Sequence, residues 1–205
     1  MFKDKTILIT GGTGSLGQAL TKRLLEMGPQ AIRIFSRNES KQIEMESDFD
    51  DKRLRFFVGD VRDSERLFYA LEDVDVVFHA AALKDVPKIE YNPFESIKTN
   101  VIGSQNVIDN SLRQDVEKVV CVGTDKAVSP LNTYGATKLL MEKLFVSANN
   151  YINPEKCIEI TKPLESKTII SAKISAKVDT LEAKQILCFG TADNIVEYLD
   201  KQVAL

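Results

Sequence analysis

A short apolar run, Thr6-Ile7-Leu8-Ile9-Thr10, breaks into Gly11-Gly12-Thr13-Gly14-Ser15-Leu16-Gly17, after which leucine recurs at Leu16, Leu20 and Leu24. The first run is apolar and rich in β-branched residues, as suits a buried parallel strand. The leucines at four-residue spacing suit one face of a helix packed on it. The glycines therefore fall in a strand-to-helix turn, and that turn restricts the chain more than any other stretch. It needs residues without a β-carbon so that helix and strand can approach, and it leaves the first helical amides unpaired and pointing outward. A pyrophosphate suits those donors, because the helix N-terminus favours negative charge and glycine lets the backbone come up to the phosphates. Both Gly12-x-Gly14-x-x-Gly17 and Gly11-x-x-Gly14-x-x-Gly17 can be read here, and the alternative is a structural turn alone.

The pattern of apolar run and turn then repeats. Ala31 to Phe35 ends at Ser36-Arg37, where an acid would hold ribose hydroxyls; Arg37, with Lys41 nearby, instead attracts a 2′-phosphate and favours NADP. The other reading of Arg37 is an exposed loop arginine. Leu54 to Val58 ends at Gly59-Asp60-Val61, where Asp60 either accepts from an adenine amino group or caps the following helix. Val74 to Phe78 runs into His79-Ala80-Ala81-Ala82-Leu83-Lys84, whose small side chains let a flat cofactor lie against the backbone. His79, the only histidine, reads as a packed, hydrogen-bonded residue with no proton-transfer role. From Pro93 a long helix is expected to pack Ile97, Val101, Val107 and Ile108 on the sheet, with Asn100 reaching toward the site. Alternating strands and helices predict an α/β fold, a Rossmann-type doubly wound parallel sheet, over residues 1–150.

A fifth run, Val119 to Val122, leads into Thr124-Asp125-Lys126, placing these three at the carboxyl end of a buried strand, the edge where open α/β sheets bind ligands. Tyr134 begins a helical pattern and Lys138 follows four positions later, so phenol and ammonium share a helix face. A phenol with pKa near ~10 is a poor base at neutral pH, and a cation held close favours its phenolate. The bland reading of this spacing is an amphipathic surface pair, and that of Asp125-Lys126 a surface turn.

Composition narrows the classes. The chain has 205 residues, 43% of them hydrophobic, enough for one good core. Its 27 Lys and Arg against 30 Asp and Glu give a net charge of -3, which argues against a general nucleic-acid or membrane-surface binder. Cys121, Cys157 and Cys188 have no metal or redox spacing and read as buried thiols in a reducing compartment. With no signal-peptide h-region and no spanning run, a soluble cytoplasmic protein is expected. Residues 151–205 read as an α/β tail of no recognised family, with three readings open: strands added at the sheet edge, an oligomer contact, or a replacement segment. The tail has strands expected at Cys157 to Ile160 and Ile186 to Phe189, alternation around Ile170 to Ala176, and a final helix with Ile195, Leu199 and Val203 after a Thr191 cap.

Six motifs stand in order: Thr10-Gly-Gly-Thr-Gly-Ser-Leu-Gly17, Phe56-Phe-Val-Gly-Asp-Val-Arg-Asp63, His79-Ala-Ala-Ala-Leu-Lys84, Lys98-Thr-Asn100, Thr124-Asp-Lys-Ala127 and Tyr134-Gly-Ala-Thr-Lys138. In them the segment Ile7 to Asn150 resembles the extended short-chain dehydrogenases, and within them the inverting UDP-N-acetylglucosamine 4,6-dehydratases of the polysaccharide biosynthesis protein type. The resemblance implies NADP lying on Gly11, Thr13, Gly14, Ser15, Leu16 and Gly17, bounded by Ser36, Arg37, Lys41, Asp60 and Val61. From there the cofactor would pass Ala80, Ala81, Ala82, Lys84 and Asn100 and end at Thr124, Tyr134 and Lys138.

The catalytic set it implies is Asp125, Lys126, Tyr134 and Lys138, acting on a UDP-sugar for surface-glycan biosynthesis. Tyr134, helped by Lys138, removes the 4-hydroxyl proton; Lys126 takes the C5 proton; a protonated Asp125 serves the departing 6-hydroxyl. Asp85, Gly123 and Ser129 depart from the family pattern, and residues 151–205 lack its Arg-Tyr-Gly-Asn type motif and substrate region. The alternatives are a UDP-sugar 4-epimerase sharing the Tyr134 and Lys138 pair, and a catalytically impaired NADP-binding module. Oligomeric state is left open, a homo-oligomer included.

Overall fold

The computed structural model describes residues 2–152 and 185–189. The expected elements at Cys157 to Ile160 and Ile170 to Ala176, and the helix after Thr191, lie outside the described residues.

Six parallel strands form one sheet in the order β3-β2-β1-β4-β5-β6. They are β1 (Thr6–Thr10), β2 (Ala31–Ser36), β3 (Leu54–Val58), β4 (Val76–His79), β5 (Lys118–Val122) and β6 (Gln185–Phe189). The sheet runs outward from β1 in both directions, to β2 on one side and β4 on the other, so the connections diverge there and leave a crevice beyond the strand ends. Between strands run α1 (Ser15–Glu26), α2 (Glu39–Phe49), α3 (Ser64–Ala70), α4 (Val86–Tyr91), α5 (Pro93–Ser96), α6 (Gly103–Arg113) and α7 (Thr133–Ile152). None of the described helices is long and apolar enough to cross a membrane.

Neighbouring residues on each strand serve opposite faces, and the core divides accordingly. Ile7, Ile9, Ile32, Ile34 and Phe78 face Leu20 and Leu24 of α1 and Met45 of α2. Leu8, Phe35, Val77, Val119 and Cys121 face Leu67 of α3, Val107 and Ile108 of α6, and Met141 and Phe145 of α7. Each of these large side chains is almost wholly removed from water, worth about 1.5–3 kcal/mol apiece. Both faces of the sheet are therefore covered, and chemistry is left to the strand ends.

Two expectations shift. Val74 belongs to a turn, its amide bonded to Leu71 O after Asp73 at φ 54°, so β4 begins later than its apolar run. The long helix from Pro93 contains a π-helical segment, Ile97–Ile102, between α5 and α6. The wider turn rotates the buried face: Thr99 and Asn100 are buried, whereas Ile97 and Ile102 are exposed.

Candidate active site

Gly11 ends β1 in the left-handed region at φ +69°, its amide bonded to Phe35 O. A β-carbon there would stand 2.9 Å from the backbone of Ala81, so the residue is glycine both for its conformation and for the approach of the 80–84 loop. A β-carbon on Gly17 would meet Gly12 O at 2.3 Å, which is how α1 comes down onto the turn. Thr13 and Gly17 are buried, Leu16 is half-buried, and Gly14 and Ser15 face solvent. Gly14 is the N-cap of α1 and provides no side-chain cap, leaving helix-terminal amides open at the crevice.

At the end of β2, Ser36 is buried, and both its hydroxyl and its carbonyl accept from Gln42. Gln42 also donates to Phe57 O, clamping the ends of β2 and β3, a role that nothing in the sequence pattern announced. Arg37 and Lys41 are exposed, and the Arg37 guanidinium lies 3.8 Å from the Asp60 carboxylate. Asp60 also accepts from Arg62 through its amide and guanidinium. Burial works to raise the Asp60 pKa, but the Arg62 hydrogen bonds outweigh it and hold the carboxyl below its ordinary value. Asp60 does not cap the next helix. Asp63 does, accepting from the Arg66 amide at the start of α3, while Val61 is buried beneath.

Beyond β4, the small residues Ala80, Ala81 and Ala82 are half-buried and Lys84 is exposed. Asn100, fully buried on the π-helical segment, grips this loop: Oδ1 accepts from Leu83 N at 2.8 Å, and Nδ2 donates to Leu83 O at 2.9 Å. Nδ2 also reaches Thr137 Oγ1 on α7, so the 80–84 loop and α7 are tied through one side chain. The structure thus places Asn100 behind the loop that lines the crevice.

His79 closes a second buried network. Ala81 N donates to Thr10 Oγ1, which in turn donates to His79 Nδ1; His79 Nε2 donates to Ser104 Oγ, and Ser104 donates to Asn100 O. These directions assign the Nε2–H tautomer. Burial, aided by the Lys138 charge, pushes the imidazole down to about 3. The unfolded chain therefore takes up a proton below about pH 6.5 that the folded protein refuses until near pH 3. Stability falls by roughly 1.4 kcal/mol per pH unit across that window. Urea unfolding of the protein and of His79→Gln at neutral pH and at about pH 5 reads this: the loss of stability on acidification is expected to be smaller in the variant, by the contribution of this one imidazole.

The reactive groups converge after β5. Thr124 has extended backbone, and a 3-10 turn follows at Asp125–Ala127. Asn132 then caps α7 by accepting from Gly135 N at 2.8 Å. Tyr134, in the first turn of α7, is half-buried; burial raises its phenol above the ordinary value, opposed by the Thr124 hydroxyl beside it. Lys138 is buried, its ammonium donating to Val122 O and touching Met141 Sδ, and its charge acts also on His79 and Glu142. The Asp125 and Glu142 charges add to the effect of burial, and together they outweigh the Thr124 hydroxyl.

Asp125 and Lys126 are exposed, with carboxylate and ammonium 3.8 Å apart. The Thr124 hydroxyl, then the Lys126 charge, hold the Asp125 carboxyl below its usual range, opposite to the protonated state the sequence reading required. The slight burial of the carboxyl, which works to raise it, is outweighed by these two groups, so a general-acid role depends on what covers the turn. Glu142, a turn beyond Lys138 on α7, escaped the sequence reading although its spacing continues the series Tyr134, Lys138, Glu142; it accepts from Thr124 N.

A doubly wound parallel sheet, a glycine turn at its switch point and a Tyr134-x-x-x-Lys138 helix over the neighbouring strand define an extended short-chain dehydrogenase fold. Within that group the chain belongs to the polysaccharide biosynthesis protein family, whose model matches residues 7–163. It is 58% identical over 151 residues to a UDP-N-acetylglucosamine 4,6-dehydratase (inverting) of Campylobacter jejuni, covering 73% of this chain and 45% of that one. It is 46% identical over 162 residues to a UDP-glucose 4-epimerase of Rickettsia conorii, covering 77% of this chain and 48% of that one. Among solved structures, Pen from Bacillus thuringiensis superposes with a TM-score of 0.73 at 45% identity, over 74% of this chain and 47% of that one. The chain spans about half the length of the curated relatives it matches.

Proposed function

We propose that this protein is an NADP-dependent nucleotide-sugar 4,6-dehydratase acting in the cytoplasm on UDP-N-acetylglucosamine, in surface-glycan biosynthesis. The observation that carries the reading is the Asp125–Ala127 turn standing beside Tyr134 at the end of β5, which gathers three proton-transfer groups at one edge of the crevice. The similarity to the Campylobacter jejuni dehydratase supports it.

The residues present fit a dinucleotide. The turn closes this tightly only because Gly11 and Gly17 have no β-carbon to hold off the backbone of Ala81 and Gly12, and the α1 amides at its mouth have no side-chain cap. Arg37 at the end of β2 supplies the charge for a 2′-phosphate, with Lys41 on the adjoining turn. A dinucleotide held there would supply reversible hydride transfer, away from C4 of the sugar and later to C6.

Tyr134 accepts the C4 hydroxyl proton as the ketone forms, with the Lys138 charge one helical turn away. The C4 ketone acidifies the C5 hydrogen, which Lys126 removes as a proton. Asp125 protonates the 6-hydroxyl, which departs as water, so one C–H and one C–O bond are exchanged for the C5–C6 double bond. The hydride returned to C6 is then matched by a proton of solvent origin added at C5, which closes that double bond and leaves a 4-keto-6-deoxy sugar. The sugar covering the turn withdraws Asp125 from water, and the substrate diphosphate adds negative charge; both raise the carboxyl toward the protonated state that an acid needs.

A 4-epimerase is the second reading, favoured by the Rickettsia conorii relative. Epimerisation at C4 leaves the C5 hydrogen in place, whereas elimination removes it. Turnover of UDP-N-acetylglucosamine in deuterium oxide is therefore expected to place solvent deuterium at C5, and a product whose C5 hydrogen is wholly retained overturns the dehydratase. For the cofactor, Arg37→Glu is expected to weaken NADP⁺ at least about tenfold relative to NAD⁺, the effect of losing roughly 1.4 kcal/mol at an exposed charge contact. Equal affinities before and after the change assign the phosphate contact elsewhere.

A further inference from the structure

The turn that carries Asp125 and Lys126 is fastened to α7 at two points that the proposed chemistry does not use. At the first, the Glu142 carboxylate accepts from Thr124 N at 3.3 Å. Burial holds this carboxyl above its usual range, while the Thr124 amide and the Lys138 and Lys143 charges oppose it.

At the second, the carbonyl of Lys126 occupies the space of a β-carbon on Gly135. Such an atom would stand 2.2 Å from Lys126 O, 3.1 Å from Lys126 C and 3.0 Å from Pro130 Cβ. Gly135 lies in the first turn of α7, a helical position where alanine is preferred to glycine unless space forbids a β-carbon. Its backbone is ordinary helix, so the close approach of the turn is what calls for glycine. Both fastenings lie on the helix that carries Tyr134 and Lys138.

We infer that Gly135 and Glu142 are positioning residues that seat the Thr124-Asp125-Lys126 turn in register with Tyr134, fixing the groups for elimination against the helix that carries those for oxidation. What the turn does rests on the dehydratase reading; how it is held rests on geometry alone.

The two parts are tested separately on the full chain. Amide hydrogen exchange is read first, with no substrate present. Glu142→Ala is expected to speed exchange at Thr124 by about tenfold, the loss of one hydrogen bond, and Gly135→Ala to speed it across residues 124–128. Glu142→Gln keeps an acceptor oxygen at the same place and is expected to retain the exchange of the unaltered protein. Unchanged exchange in both alanine variants overturns the inference, and so does acceleration spread equally over β1 and β4, which would be general loosening.

Activity is read second, with UDP-N-acetylglucosamine and NADP⁺. Pushing the turn back by roughly 1 Å in Gly135→Ala is expected to slow water loss about a hundredfold while slowing C4 oxidation much less. Oxidation at C4 is followed by the near-ultraviolet absorbance of the cofactor. Equal slowing of both steps counts against the inference. If the unaltered protein releases no water, the dehydratase reading falls, and the exchange measurement still decides whether α7 holds the turn.

Discussion

Replacing Tyr134 with phenylalanine is expected to lower turnover of UDP-N-acetylglucosamine by roughly two to four orders of magnitude, the range that positioned acid–base groups contribute. The substitution removes one oxygen from a half-buried ring at the start of α7 and leaves the ring's packing in place. Affinity for substrate and cofactor is therefore expected to change little, and the loss to fall on kcat. In the open site burial already raises the phenol against the help of the Thr124 hydroxyl. On the proposed mechanism, the phenolate depends on positive charge from Lys138 and from an oxidised nicotinamide. A Tyr134→Phe protein within tenfold of normal turnover would mean that another group takes the C4 proton.

Replacing Lys126 with alanine is expected to have an effect of similar size on a different step. Water loss and deuterium uptake at C5 are expected to fall by roughly two to four orders of magnitude, while oxidation at C4 persists. Lys126 is exposed, and its nearest carboxylate is 3.8 Å away across solvent, so the ion pair with Asp125 contributes little to folding. The melting temperature of the variant is expected to match that of the parent, which separates a chemical defect from an unfolded one. If Lys126→Ala keeps water loss, the base at C5 lies elsewhere; if it loses C4 oxidation equally, the turn serves both steps.

Much of the frame could be read from the residues because apolar runs and glycine are local signals. β1 and β3 have the bounds that Thr6 to Thr10 and Leu54 to Val58 suggest, and the alternation of Ile7, Leu8 and Ile9 fills both layers of the core. β6 likewise falls on the run before Phe189, paired with β5. Errors came where geometry overrides composition. Asp73 takes a left-handed turn without being glycine, and the π-helical segment shifts the helical period so that Asn100, in place of Ile97, faces inward.

The site divides in the same way. Tyr134, Lys138 and the Thr124-Asp125-Lys126 turn stand at one strand end, as their order in the chain suggests. Arg37 and Asp60 meet because β2 and β3 are neighbours. Gln42, Glu142 and the reason for Gly135 act through space between segments that are separate in sequence, so no local pattern reports them. The protonation demanded of Asp125 also depends on surroundings, and the Thr124 hydroxyl and the Lys126 charge hold its carboxyl low.

The most direct test of the whole account is the mass of the product formed when the purified protein meets UDP-N-acetylglucosamine and NADP⁺. The account predicts a nucleotide sugar lighter by one water, with the cofactor returned to its oxidised form. A sugar of unchanged mass, whether epimerised or untouched, contradicts it.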